Sequence, residues 1–205
     1  METTEKTKEK EIVSPLAITV YLDTNLIIEH CWWKYFGKGK GKKTRDVELV
    51  ERGFQRDYDT YISYMTTMEL SVHLTDWFLL QKVIKNGFGY PYFRRERMKY
   101  SITSRQKEYI SCIVREYQES PDAFYIEIDE ITKDFFERVK LMIDNYIGIE
   151  DALHFVFAQA AKCKYFATKD DELRVRLQRI ISNKIIQIPF PPTLIKPQSL
   201  YKLLK

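Results

Sequence analysis

Cysteine is scarce. The 205 residues contain three, Cys31, Cys112 and Cys163, an odd number with no CxxC pair. That spacing excludes a zinc ribbon and a disulfide framework, and it reads as buried free thiols in a reducing compartment. Long apolar runs are missing too: nothing approaches the roughly 18 consecutive apolar residues that a membrane span needs. The opening METTEKTKEKE is charged and has no apolar segment of the secretory kind. A cytoplasmic location, with no membrane partner, is therefore expected. Charge of one sign does not dominate, since 33 basic and 29 acidic residues give a formal net charge of +4. No internal repeat and no clean domain boundary are visible.

What is there suits a folded α/β domain with elaborations: 44% hydrophobic, 30% charged and 14% aromatic residues. Basic residues gather locally rather than globally. KGKGKKTR (38–45) and FRRERMKY (93–100) form two clusters. Lys40, Lys42, Lys43, Arg94, Arg95 and Arg97 are candidate contacts to a polyanion, although solvated loops kept soluble by charge would look the same.

Residues 1–14 read as a flexible tail, and 15–205 as one domain. LAITVYL (16–22) is a compact β-branched run that stops at Asp23, as a strand buried on both faces would. Further strands are expected at 60–65, 124–128, 164–168 and 184–188. Helices are expected from Thr24 or Asn25 as cap, then over 45–57, 66–85, 104–118, 131–146, 149–164 and 171–181. The segment 87–101 has no clear period. The tail from 189 is Pro-rich and ends in a helical turn. Strands alternating with helices predict an α/β fold around a mostly parallel sheet of about five strands. In such sheets ligands bind beyond the carboxyl ends of the strands.

Four acids fall there. Asp23 ends the first strand, Glu69 lies early in the helix after the second, Asp151 opens a helix, and Asp170 follows the fourth strand. Each has a structural explanation alone, as a cap, a turn or a first-turn acid favoured by the helix dipole. Together they would repel one another unless a hard divalent cation compensated them. Such an ion can activate a water and stabilise charge on a phosphoryl oxygen, while Lys and Arg meet flanking phosphates.

These residues resemble a known family. YLDTNLII (21–28), SYMTTMEL (63–70) and GIEDALHFVFAQAAKCKYFATKDDEL (148–173) are similar to the D-T-N strand, the helix-borne glutamate, and the D-A-x-H helix with T-x-D element of PIN domains. The likeness spans about 23–188. It implies an α/β/α sandwich and Mg²⁺- or Mn²⁺-dependent cleavage of single-stranded RNA, with one or two ions on Asp23, Glu69, Asp151 and Asp170. It also implies supporting roles for Asn25 and Thr168, which would orient Asp23 or a metal water, and for His154, one turn after Asp151. VapC-type toxins of this family are homodimers restrained by a small antitoxin, and the tail TLIKPQSLYKLL is loosely similar to theirs. The loop at 37–44 and the segment 86–120 look like insertions, the latter rich in aromatics and arginines suited to single-stranded RNA. The competing expectation is a non-catalytic RNA- or protein-binding module. A DNA flap-type nuclease ranks below both, since no helix-hairpin-helix pattern occurs.

Overall fold

The apolar run before Asp23 becomes the middle strand of the sheet. In the computed structural model, which describes residues 18–37, 43–127, 133–183 and 190–204, β1 (Thr19–Leu22) alternates its side chains between two buried faces. Val20 and Leu22 enter one core and Tyr21 the other. That is the burial a continuous apolar strand predicts.

β2 (Asp59–Ser63) and β4 (Tyr165–Ala167) flank β1. β3 (Ala123–Ile126) lies outside β2, and β5 (Thr193–Ile195) outside β4. The order is β3-β2-β1-β4-β5, and every pairing is parallel. The Val20–Leu22 face is covered by α1 (Thr24–Cys31), α2 (Arg45–Phe54), the first half of α3 (Tyr64–Lys85), α5 (Ser104–Gln118) and α9 (Pro197–Leu203). They contribute Leu26, Leu49, Leu70, Leu74, Ile113 and Leu200 among others. The Tyr21 face is covered by α6 (Lys133–Asp144), α7 (Ile149–Ala160) and α8 (Asp171–Ser182), through Phe135, Met142, Phe155 and Leu177. The molecule is thus the α/β/α sandwich that the resemblance implies, with a wholly parallel five-stranded sheet. A third cluster of Leu79, Val83 and Phe93 fastens α4 (Tyr90–Glu96) to the far part of α3.

Several details differ from the sequence reading. The strand expected at 184–188 and the tail at 1–14 lie outside the described residues. Among the described residues the fifth strand is Thr193–Ile195, within the Pro-rich tail. Among those residues it pairs with β4 alone, at the edge of the sheet, where flanking prolines are tolerated. The segment 87–101 contains α4, with extended Gly89 as its N-cap and a proline in its first turn, followed by a 3-10 turn at Arg97–Lys99. Proline is favoured at a helix start because its missing N–H would be unpaired there anyway. Within the stretch read as an insertion, α5 is a core helix, burying Ile110, Ile113 and Tyr117. α1 runs on into a π-helical turn, Trp32–Gly37. Among the described residues no helix is long and apolar enough to cross a membrane.

The strand order fixes the location of any site. From β1 the chain builds outward to β2 and β3, then returns to the other side of β1 for β4 and β5. Connections therefore diverge above the carboxyl ends of β1 and β4, and a crevice opens there.

Gly53 sits where α2 meets β2. A Cβ there would lie 2.2 Å from Thr60 Oγ1 and 2.8 Å from the Tyr58 hydroxyl. Gly53→Ala is expected to destabilise the fold by about 1–3 kcal/mol, read as a lower urea midpoint at unchanged slope. An unshifted midpoint would show that this contact is looser than described.

Candidate functional site

All four acids singled out in the sequence line one cavity of about 450 Å³ at that crevice. Asp23 follows β1 and Asp170 follows β4. Glu69 projects from the second turn of α3, and Asp151 from the first turn of α7. Two of them also cap helices. Asp23, rather than Thr24 or Asn25, is the N-cap of α1; with an extended backbone at Asp23, its carboxylate reaches the next amide. Asp170 caps α8, its Oδ1 accepting from the Leu173 N–H at 2.8 Å. Capping and lining the cavity are compatible, since the first occupies one carboxylate oxygen of Asp170.

Asp23 is only 8% exposed. Its Oδ1 accepts from the Thr24 N–H at 2.8 Å. Its Oδ2 accepts from Asn25 Nδ2 at 2.8 Å and from the Thr168 hydroxyl at 2.6 Å. Asn25 and Thr168, expected to orient Asp23 or a metal water, both hydrogen-bond the Asp23 carboxylate directly. A carboxylate only accepts, so the Asn25 amide nitrogen must face Asp23. Its carbonyl oxygen is left buried with no hydrogen-bond partner.

His154 is 2% exposed and linked on both ring nitrogens. Nε2 lies 3.0 Å from Glu69 Oε2 and 3.1 Å from Thr24 Oγ1. Nδ1 lies 2.7 Å from the Tyr21 hydroxyl, which is 2.6 Å from Ser63 Oγ. As a cation, His154 donates to Glu69 on one side and to Tyr21 on the other. Tyr21 then donates to Ser63.

Ionisation reflects this crowding. Burial first, and then repulsion by Asp23 and Asp170, push the Asp151 carboxyl up to about 6. Burial likewise raises Asp23, against the opposing pull of His154 and Thr168. Burial would raise Glu69 as well, but its hydrogen bond to His154 and that ring's charge hold it below the ordinary carboxylate value. For His154 burial works downward, yet the hydrogen bond to Glu69 and the charges of Asp23, Glu69 and Asp151 prevail and raise it. When protonated, His154 gives the pocket a counter-ion of its own beside the acids.

The basic candidates are not gathered there as a group. Lys40 and Lys42 lie outside the described residues. Lys43 pairs with Glu51 at 2.5 Å and stands 4.4 Å over the Trp33 ring. It lines a separate cavity of about 700 Å³ beside the residues that lead into β2 and β3. Arg94 and Arg95 are exposed on α4. Arg97 alone reaches the acidic cavity's lining, pairing with Asp76 at 2.8 Å. Sequence reasoning missed Tyr21, His73, Asp76 and Glu150. The signal for two of them was present: Glu69, Val72, His73 and Asp76 stand at i, i+3, i+4 and i+7, one face of a helix.

Among the described residues no group of three or more His, Cys, Asp or Glu is arranged to hold a metal ion. The carboxylates share a cavity but are not drawn together into a closed ligand set, as mutual repulsion would have it. Carboxylate oxygens are hard donors of the kind that divalent cations bind. No protein-family model matches the chain, and no curated protein matches it.

Neutralising one carboxylate should relieve the repulsion. Asp151→Asn is expected to raise the melting temperature in chelator at neutral pH by roughly 2–4 °C, the response to about 1 kcal/mol in a domain of this size. A variant melting at or below the parent would mean that the acids do not strain the fold.

Proposed function

We propose that the chain is a Mg²⁺- or Mn²⁺-dependent endoribonuclease whose centre is the pocket of Asp23, Glu69, Asp151 and Asp170. The observation that carries this reading is the convergence of four carboxylates, from four separate segments, on one cavity at the carboxyl edge of a parallel sheet. Burial first, and then the neighbouring Asp23 and Asp170, raise the Asp151 carboxyl, so that gathering the acids adds an electrostatic cost. A divalent cation removes that cost, and the four acids are the residues that would hold it.

When bound, such an ion supplies an activated water and offsets charge on the phosphoryl oxygen. The chain's own residues do the positioning. Thr168 and Asn25 fix the Asp23 carboxylate. His154 anchors Glu69 and tempers the negative field, which would otherwise repel a phosphodiester. Arg94, exposed on α4, and Arg95, which lies 3.7 Å from Glu96, would meet phosphates further along a strand.

A second reading keeps the pocket but not the chemistry: a module that binds RNA or a protein partner without cleaving it. The absence, among the described residues, of a gathered ligand set favours it.

Asp23→Asn separates the two. Asn caps helices about as well as Asp, so the fold is expected to persist by circular dichroism. Cleavage of a labelled single-stranded RNA in Mn²⁺ should fall at least about a hundredfold, as for loss of a group acting on the reacting phosphate. A chelator should abolish parent cleavage and added Mn²⁺ restore it. Parent protein that retains RNA without cutting it in either metal would establish the second reading. Asp23→Asn cutting at the parent rate would remove the pocket from the chemistry.

A further inference from the structure

The acidic cavity is not lined by acids alone. Ile28, Met68 and Val72 line it as well, and Met68 and Val72 remain 40% and 49% exposed. A phosphate and its counter-ion have no use for an apolar wall. The surface suits a part of the substrate with flat apolar faces.

His73 adds a hydrogen-bond donor to that wall. The π-helical turn at Trp32–Gly37 directs the Trp32 indole onto this ring, Nε1 lying 3.0 Å from His73 Nε2. An indole N–H can only donate, so Nε2 of His73 is unprotonated and its proton sits on Nδ1. Trp32 is itself wedged by Phe36 at 4.7 Å and Trp77 at 5.0 Å between ring centroids, which holds the donor's direction. Burial lowers the His73 pKa and so favours the neutral ring, with Asp76 opposing. One turn further along α3, Asp76 presents a buried Oδ1 that is ion-paired with Arg97 but accepts no hydrogen bond. A fixed N–H donor, an acidic acceptor held by Arg97 and an apolar surface thus stand together at the edge of the acidic pocket.

We infer that Ile28, Met68, Val72, His73 and Asp76 form a nucleobase subsite, in which the base lies on the apolar side chains, accepts from His73 Nδ1–H and donates to Asp76. The inference rests on the ribonuclease reading for the polymer that delivers the base. A base attached to the nucleotide whose phosphate meets the acids would fall within the same cavity. Sugars lack the flat apolar faces, and phosphates would be repelled by Asp76. His73 would then discriminate among bases by the position of their acceptor, through a hydrogen bond that is missing when the wrong base presents a donor there.

Uncharged ribonucleosides test the subsite apart from any metal or cleavage. Adenosine, guanosine, cytidine and uridine are titrated into the full chain in chelator, reading the ¹³C-methyl resonances of Met68, Val72 and Ile28. Saturable shifts at roughly millimolar concentration are expected, with at least one nucleoside preferred about threefold or more over the weakest. His73→Phe should weaken the preferred nucleoside about fivefold, the effect of one neutral hydrogen bond, and flatten the ranking. His73→Gln, which retains a donor, should restore part of it. Methyls that no nucleoside shifts, or a ranking that survives His73→Phe, would overturn the subsite. A chain that cuts RNA yet binds no nucleoside loses this inference alone. One that ranks nucleosides but never cuts RNA loses the nuclease reading and keeps the subsite.

Discussion

A nearly buried carboxylate must meet a donor at each oxygen or surrender its charge. At Asp23 the donors come from both sides of the crevice: Thr24 and Asn25 from its own segment, and Thr168 from the end of β4. The Thr168 hydroxyl has two tasks. It donates to Asp23 at 2.6 Å and accepts from the Asp170 N–H at 3.0 Å. One side chain therefore sets two of the four acids relative to each other, and it can do so only because β4 pairs directly with β1. The backbone repeats the link, as the Asp23 N–H donates to the Ala167 carbonyl at 3.1 Å. Sheet order, hydroxyl and acid pair are parts of one constraint.

The other half of the pocket is organised by charge. His154 stands on α7 and Glu69 on α3, so their contact ties the helix on one face of the sheet to the helix that follows β2. The chain of contacts continues through Tyr21 of β1 to Ser63, the last residue of β2. A buried cation is costly unless matched, and here the match is the group whose excess of negative charge is itself the difficulty. Each side makes the other tolerable. A single imidazolium cannot match four carboxylates, and at Asp151 burial, joined by repulsion from Asp23 and Asp170, pushes the carboxyl up to about 6. The pocket is held short of its electrostatic optimum, as sites that bind cations or charged substrates commonly are.

Much of this was legible beforehand, for identifiable reasons. A continuous apolar strand that ends in Asp marks both the sheet centre and its functional edge, so β1 and Asp23 came out together. The four acids could be placed because each follows a strand or opens a helix, and such positions are local properties of sequence. What was missed is tertiary or compositional. β5 hides among prolines that an edge strand tolerates and a central one would not. α4 hides because 87–101 shows no clear period, although Gly89 and Pro91 mark its start. The Lys43 side chain lines the other cavity and contacts Glu51 and Trp33, contacts that no local pattern reveals. His73 looked like an unremarked polar residue until the π-helical turn brought Trp32 onto it.

The long helix α3 shows how a segment remote from the acids still shapes them. Leu70 and Leu74 point into the core. Glu69, Val72, His73 and Asp76 lie on the adjoining face, which lines the cavity. At 100° per residue that same face continues to Leu79 and Val83, and there it is covered by Phe93 of α4. The segment beyond residue 86 therefore does not lie across the acids. It packs on the far part of α3, and the seam with the cavity's lining is the ion pair of Arg97 with Asp76. α3 cannot rotate to withdraw His73 or Glu69 without also exposing Val83 and breaking that seam. The aromatic and basic stretch that invites a direct reading as a substrate-binding surface acts first as a brace, fixing the register in which α3 presents its acid, its imidazole and its apolar side chains to the crevice.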